Sequence, residues 1–343
     1  MTQYNLLSVD GGGIRGLIPA LILAEIEKRT NQATSDLFDI ISGTSTGGII
    51  AVGLTVPNPE TGRPLFTAKE LAGLYLDRGK EIFQQSLLQR IGSVTDNAFG
   101  HKNLESILQE YFGESELKNA LTHVIVTSYD IEERRTFYFN SDRAKMDDKE
   151  NFRVWEVCRC TSAAPTYFEP HQINYGGDLV ALVDGGVFAN NPAMLAYTEA
   201  KRRFDEQRAS EPVIVDREAS DVAVAARQIE EPFLMLSLGT GSSRKRYPYD
   251  KAKDWGLAGW VRPIVDILMQ GTAETVHFQM KQLLPPKLNG QSRYYRLNTQ
   301  LAPEHSDMSD ASDDMLNALA KYAEDIIRLN DQAIDALCTQ LTV

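Results

Sequence analysis

FDIISGTSTGGIIAV, Phe38 to Val52, runs from an apolar stretch through a serine held between glycines and back into an apolar stretch. Phe38 to Ile41 has the continuous hydrophobic run of a buried strand, and Thr46 to Leu54 reads as a buried helix beginning directly after Ser45. A strand, a sharp turn and a helix thus frame one hydroxyl. Gly43-Thr44-Ser45-Thr46-Gly47 is a G-x-S-x-G pattern. Gly43 and Gly47 allow the backbone to turn tightly and keep side-chain bulk away, while the following helix directs amides toward negative charge. Both effects suit an attacking serine whose reaction generates an oxyanion, although small hydroxyl residues and glycines also make ordinary turns.

Working outward, Tyr4 to Val9 reads as a neighbouring strand that stops at Asp10-Gly11-Gly12-Gly13, and Leu17 to Ile26 as the helix behind it. DGGGIRG, Asp10 to Gly16, satisfies G-x-G-x-x-G through Gly11, Gly13 and Gly16, in the strand-to-helix setting of a dinucleotide-binding loop. A nucleotide-dependent oxidoreductase is therefore a competing reading. Its ribose-binding acid is misplaced, because Asp39 starts the second apolar run and Ser42 with the glycine turn occupies its exit. The lysine and hydroxyl ending of a P-loop is also missing. In an open sheet the two turns meet at the carboxyl edge, where amides around Gly12 and Gly13 can stabilise an oxyanion beside Ser45. Arg15 either braces this loop, draws anionic head groups, or makes an ordinary exposed salt bridge.

A serine hydroxyl needs a base. The chain has five histidines, His101, His123, His171, His277 and His305, none at a late, glycine-flanked strand end. Asp184 is better placed by local pattern: it ends the apolar run Leu179 to Val183 and is followed by Gly185 and Gly186. Its bland role would be a cap or turn residue.

The remaining chain alternates short apolar strands with helices, which predicts an α/β layer architecture. Thr67 and Glu70 form a capping box. Helices are expected over His101 to Phe112, from Asn191-Pro192 to about Arg202, near Leu257 to Leu284 and over Asp313 to Leu337, and strands over Val124 to Ser128, Thr136 to Phe139, Phe233 to Leu238 and Tyr294 to Leu297. Asp205 to Glu231 reads as an exposed excursion. With 343 residues, 43% hydrophobic, and no clean linker or repeat, a single domain over residues 1–343 is expected, its motifs within 4–241 and the elements of 254–338 packed on it.

A net charge of -12 argues against nucleic-acid binding. Cys158, Cys160 and Cys338 suggest neither a disulfide framework nor a metal set. A cytoplasmic protein, associating with membranes at most peripherally, is the expectation, since the chain begins without a signal-like segment and contains no spanning run.

Taken in order, DGGGIRG, GTSTG and the DGG at Asp184, with LSLGTG at Leu236 to Gly241, resemble the patatin-like phospholipase family. The resemblance implies a three-layer α/β/α sandwich with a mostly parallel central sheet, related to the α/β hydrolases. It implies a Ser-Asp dyad, with Ser45 as nucleophile and Asp184 as base, and an oxyanion hole at Gly11, Gly12 and Gly13 with Arg15 in the family's basic position. The implied reaction is hydrolysis of fatty-acyl esters of phospholipids or lysophospholipids through an acyl-enzyme, without metal or cofactor. The bland alternative is a noncatalytic α/β interaction module.

For the substrate, Leu87 to Ile91 and Trp255 to Met269 are candidate walls of an acyl groove. Arg244, Lys245, Arg246, Lys251 and Lys253, interleaved with Tyr247, Tyr249 and Trp255, are candidate contacts to phospholipid head groups.

Overall fold

The computed structural model of the chain describes residues 3–84, 100–210, 231–243 and 245–343. One eight-stranded sheet is built from β1 (Tyr4–Val9), β2 (Ile40–Thr44), β3 (His123–Asp130), β4 (Arg135–Asn140), β5 (His171–Tyr175), β6 (Asp178–Asp184), β7 (Phe233–Leu238) and, after the two-residue β8 (Ser242–Ser243), β9 (Tyr294–Leu297). β8 pairs apart from it with β10 (Gln300–Leu301). β1 lies between β2 and β7, and the β3-β2-β1-β7-β9 span is parallel throughout. β4, β6 and β5 extend it with antiparallel pairs.

The pairing of β3 decides where the site forms. β4 occupies one edge along its length, so β2 and β6 share the other. β2 pairs up to Thr44 opposite Thr127, and β6 arrives from the opposite direction with Asp184 opposite Ser128. The carboxyl ends of two strands therefore meet head to head, with Ser45 leaving one and Asp184 closing the other.

Helices cover both faces. Leu7, Val9, Ile41 and Val126 point into a core shared with α1 (Leu17–Thr30), α2 (Thr46–Gly53), α3 (Ala68–Gly79), α4 (Gly100–Phe112) and α5 (Val154–Thr161). Leu6, Ile40 and Ile125, one position out of step, point the other way onto α6 (Ala193–Ser210) and α7 (Leu257–Leu283). The alternation of a strand thus distributes one apolar run between two helical layers. The last helices, α8 (Asp313–Leu329) and α9 (Asp331–Leu341), bury Leu319, Ile326 and Leu337 in the first core. The result is a three-layer α/β/α sandwich.

Local signals held where their partners are local. The capping box of α3 is formed: Thr67 Oγ1 accepts from the Glu70 amide and the Glu70 carboxylate accepts from the Thr67 amide. Other boundaries moved. β2 begins at Ile40, because Asp39 exchanges hydrogen bonds with Asn5 instead of continuing the run backward. The helix expected over Asp313 to Leu337 is two, broken at Asn330, whose side chain donates to the Ile326 carbonyl. α6 continues to Ser210, past the expected start of an exposed excursion. Residues 211–230 of that excursion, Leu87 to Ile91, and Arg244 lie outside the described residues.

Candidate active site

Ser45 sits at φ 55 and ψ -124, a backbone conformation that a side-chain-bearing residue adopts only under constraint. The constraint is visible. Its amide donates to Thr161 Oγ1 at 2.8 Å, Thr161 in turn donates to the Thr127 carbonyl, and the Ser45 carbonyl starts α2 by accepting from Gly48 and Ile49. Gly43 and Gly47 make this elbow possible by contact: a Cβ on Gly43 would lie 2.2 Å from the Gly47 carbonyl oxygen, and one on Gly47 would lie 2.1 Å from that of Val9.

Asp184 is 2% exposed. Burial raises its pKa to about 7, opposed by the Ser45 hydroxyl and by the Gly186 amide, which donates to Oδ1 at 2.7 Å. The hydroxyl is close enough to favour the carboxylate, yet Oδ2 makes no bond of full hydrogen-bond geometry among the described residues. Gly185 packs on Thr127, where a Cβ would collide with Oγ1.

The Asp10–Gly16 loop lies against this pair: a Cβ on Gly11 would stand 3.3 Å from that of Ser45. Its three glycines are not equivalent. The Gly11 amide donates to the Asn190 carbonyl at 3.0 Å, which removes it from the expected oxyanion donors. The Gly12 and Gly13 amides have no protein partner among the described residues, and Gly13 lies at φ 59 under the Met308 carbonyl. Arg15 is buried, not in an exposed salt bridge, and its Nε braces the loop through the Gly12 carbonyl at 3.3 Å. Burial lowers its pKa, with Asp266 the leading opposing charge. Close packing alone accounts for the glycines of DGGGIRG, and so for its G-x-G-x-x-G pattern, because Asn190, Thr240, Met308 and Thr46 stand where their Cβ atoms would lie.

Ser45 and Asp184 open into an apolar slot of about 60 Å³, walled by Ile49, Leu74, Leu108, Phe168, Val265 and Met269. Among the described side chains no histidine lines it. On the other side of Met269 and Met308 lies a polar cavity of about 340 Å³ containing Asp10, Arg15, Asp266, Glu274, Arg296 and Asn298. Asp10 and Arg296 form a bidentate pair there, at 2.5 and 2.9 Å, against the burial that pushes the Asp10 pKa up. The described residues include no cluster suited to a metal ion.

A sequence model of the family described as patatin-like phospholipase matches residues 7–197. The chain belongs to the patatin-like phospholipase family. With that it joins a family of lipid hydrolases. It is 32% identical to Patatin-like protein 1 of Arabidopsis thaliana, over 94% of this chain and 81% of that protein. It is 31% identical to Patatin-T5 of Solanum tuberosum, over 95% and 84% respectively. A Solanum tuberosum protein named probable inactive patatin-3-Kuras 1 is also 31% identical, over 95% of this chain and 87% of that protein.

Three residues at the patatin site escaped the sequence reading. Thr161 orients the Ser45 amide, Thr240 holds the glycine loop by donating to the Gly11 carbonyl at 2.7 Å, and Asn190 supplies the carbonyl that takes the Gly11 amide. Thr240 lies within the LSLGTG motif and Asn190 four residues after DGG. Thr161 carries no local signal. The three cysteines are buried free thiols.

Proposed function

We propose that this chain is a serine acyl hydrolase in which Ser45 attacks a fatty-acyl ester and Asp184 is its base. The supporting observation is the head-to-head meeting of β2 and β6, which points a constrained serine at a buried carboxylate with a pKa near 7. A base of that pKa accepts a proton near neutral pH and returns it readily.

Ser45 Oγ adds to the carbonyl carbon as its proton passes to Asp184. The carbonyl oxygen becomes an oxyanion against the Gly12 and Gly13 amides, donors whose interaction strengthens as charge develops. Collapse breaks the ester bond, and the leaving alcohol takes the proton from Asp184. Water then attacks the acyl-serine as its proton passes to Asp184, the acyl–oxygen bond breaks, and Asp184 returns the proton to Ser45 Oγ as the fatty acid leaves.

The two cavities suit a two-part substrate. The slot is nearly all apolar and accepts an acyl chain once its leucine and methionine walls repack. The polar cavity, with the Arg15 guanidinium among carboxylates and amides, accepts the head group of a phospholipid or lysophospholipid.

Fatty-acid release from phosphatidylcholine and lysophosphatidylcholine by the wild type, Ser45→Ala and Asp184→Asn, each checked for folding, tests the reading. Both variants should lose at least about a thousandfold in turnover. Turnover retained in Ser45→Ala excludes the assigned nucleophile, and a folded wild type inert toward every acyl ester returns the chain to the noncatalytic reading.

A further inference from the structure

Helix α7 is apolar on two faces. Val265 and Met269 look inward and wall the slot that contains Ser45 and Asp184, and Met280 is buried against the sheet. On the outer face Leu257, Trp260, Ile264, Ile267, Leu268 and Phe278 are between 41% and 93% exposed. At the helical repeat of about 100° per residue, these positions fall within an arc roughly 100° wide, nearly opposite the buried one. Isolated exposed apolar residues are normal on a protein surface, whereas a continuous stripe marks a place of interaction.

We infer that this stripe docks the protein on the surface of a lipid aggregate, with α7 lying in the interfacial plane beside the opening of the slot. The inference rests on the acyl-hydrolase reading above, and three observations favour a lipid layer over a protein partner. Stripe and slot are adjacent on one helix: Ile264 and Leu268 face out while Val265 and Met269, the next residues, face the reacting groups. A lipid layer there supplies acyl chains, whereas a protein partner would cover the wall they must pass.

The second observation is an aromatic cluster at the start of the helix. Trp255 stacks edge-on with Trp260 at 5.1 Å and with Tyr247 at 5.3 Å, and Tyr249 beside them is 78% exposed. Indole and phenol rings have an apolar body and a polar tip, which places them at head-group level. The third is charge. Exposed Lys245, Arg246, Lys251 and Lys253 fringe the cluster, partly offset by exposed Asp250 and Asp254. The fringe is weakly cationic, so apolar insertion carries the binding and charge assists it. No helix among the described residues is long and apolar enough to cross the bilayer, which fits a helix lying on it.

The test is flotation of the full chain with phosphatidylcholine vesicles, read together with tryptophan emission, vesicle hydrolysis and hydrolysis of a water-soluble short-chain ester. The wild type should float, shift its emission to the blue and remain bound in high salt. Leu257→Glu and the pair Ile264→Ser with Leu268→Ser should each weaken flotation and vesicle hydrolysis by at least about tenfold, leaving soluble-ester turnover unchanged. Leu257 is 93% exposed, so its variant carries the test should the double variant fail to fold. Variants that float like the wild type overturn the inference, as does binding that salt abolishes. A wild type that ignores vesicles but forms a dimer split by Leu257→Glu assigns the stripe to a second copy of the chain. Ser45→Ala should float normally with both turnovers lost; turnover surviving in it defeats the catalytic reading alone, while the flotation result stands.

Discussion

A carboxylate with a pKa near 7 has been moved far from water, and for Asp184 burial is the leading cause. The shift has a sign for stability. Between the ordinary value of 3.8 and about 7 the folded chain holds a proton that the unfolded chain has released. Stability therefore falls as pH rises through that window, by roughly 4 kcal/mol in all. Asp184→Asn keeps an acceptor for the Gly186 amide and removes the titration. In denaturant unfolding it should exceed the wild type by roughly 3–4 kcal/mol at pH 8, the two converging below about pH 3, where both states hold the proton. A gap independent of pH would show that Asp184 does not carry the shift. On the proposed mechanism the same pKa sets the turnover profile: wild-type hydrolysis should rise with pH through about 7, because only an ionised Asp184 could take the proton from Ser45.

The elements around the serine depend on close approach. α2 can start one residue after β2 only because Gly47 passes Val9 without a side chain. Gly47→Ala should cost about 3 kcal/mol or more, on the upper scale of overpacking because the clash is with backbone atoms, and should abolish turnover. Thr67→Ala removes the α3 cap, which does not line the slot, and should cost about 1 kcal/mol with turnover unchanged. Thermal unfolding and ester hydrolysis measured side by side separate the two. The contrast also explains which features were legible. Ser45, its flanking glycines and the Thr67–Glu70 box are specified by residues a few positions apart, and so is the placement of Asp184 at a strand end. Sharing of one β3 edge by β2 and β6, the bond from Ser45 to Thr161, and the diversion of the Gly11 amide to Asn190 depend on chain segments far apart in sequence. No local pattern encodes those distances. The stripe on α7 was hidden for another reason: its inner and outer faces are both apolar, and periodicity alone cannot say which one is buried.

Across the whole molecule, the family match ends at residue 197 but the glycine loop is held from beyond it. Thr240 takes hold of Gly11, the Met308 carbonyl accepts from the Ile14 amide, and Arg296 on β9 neutralises Asp10. The later chain is thus part of the framework of the loop. Arg296→Met would leave Asp10 buried without its bidentate partner, with the Arg15 charge acting on it only at a distance, and should destabilise the fold by about 3–5 kcal/mol. Adding Asp10→Asn should recover part of that loss. A double variant no better than the single one would mean that Arg296 acts by packing and not by charge.

The meeting of β2 and β6 also has a consequence in time. Thr44 bonds to Thr127 and to the Ala189 carbonyl, partners 83 and 145 residues along the chain. Contacts of such separation form late, after the loops between them have closed. On the ribosome, Ser45 emerges long before the segment that ends in Asp184, and until that segment docks its hydroxyl is an ordinary alcohol. On the proposed mechanism a nascent or partly refolded chain has no activated serine to turn on the lipids around it, and the appearance of esterase activity should date the closure of the sheet.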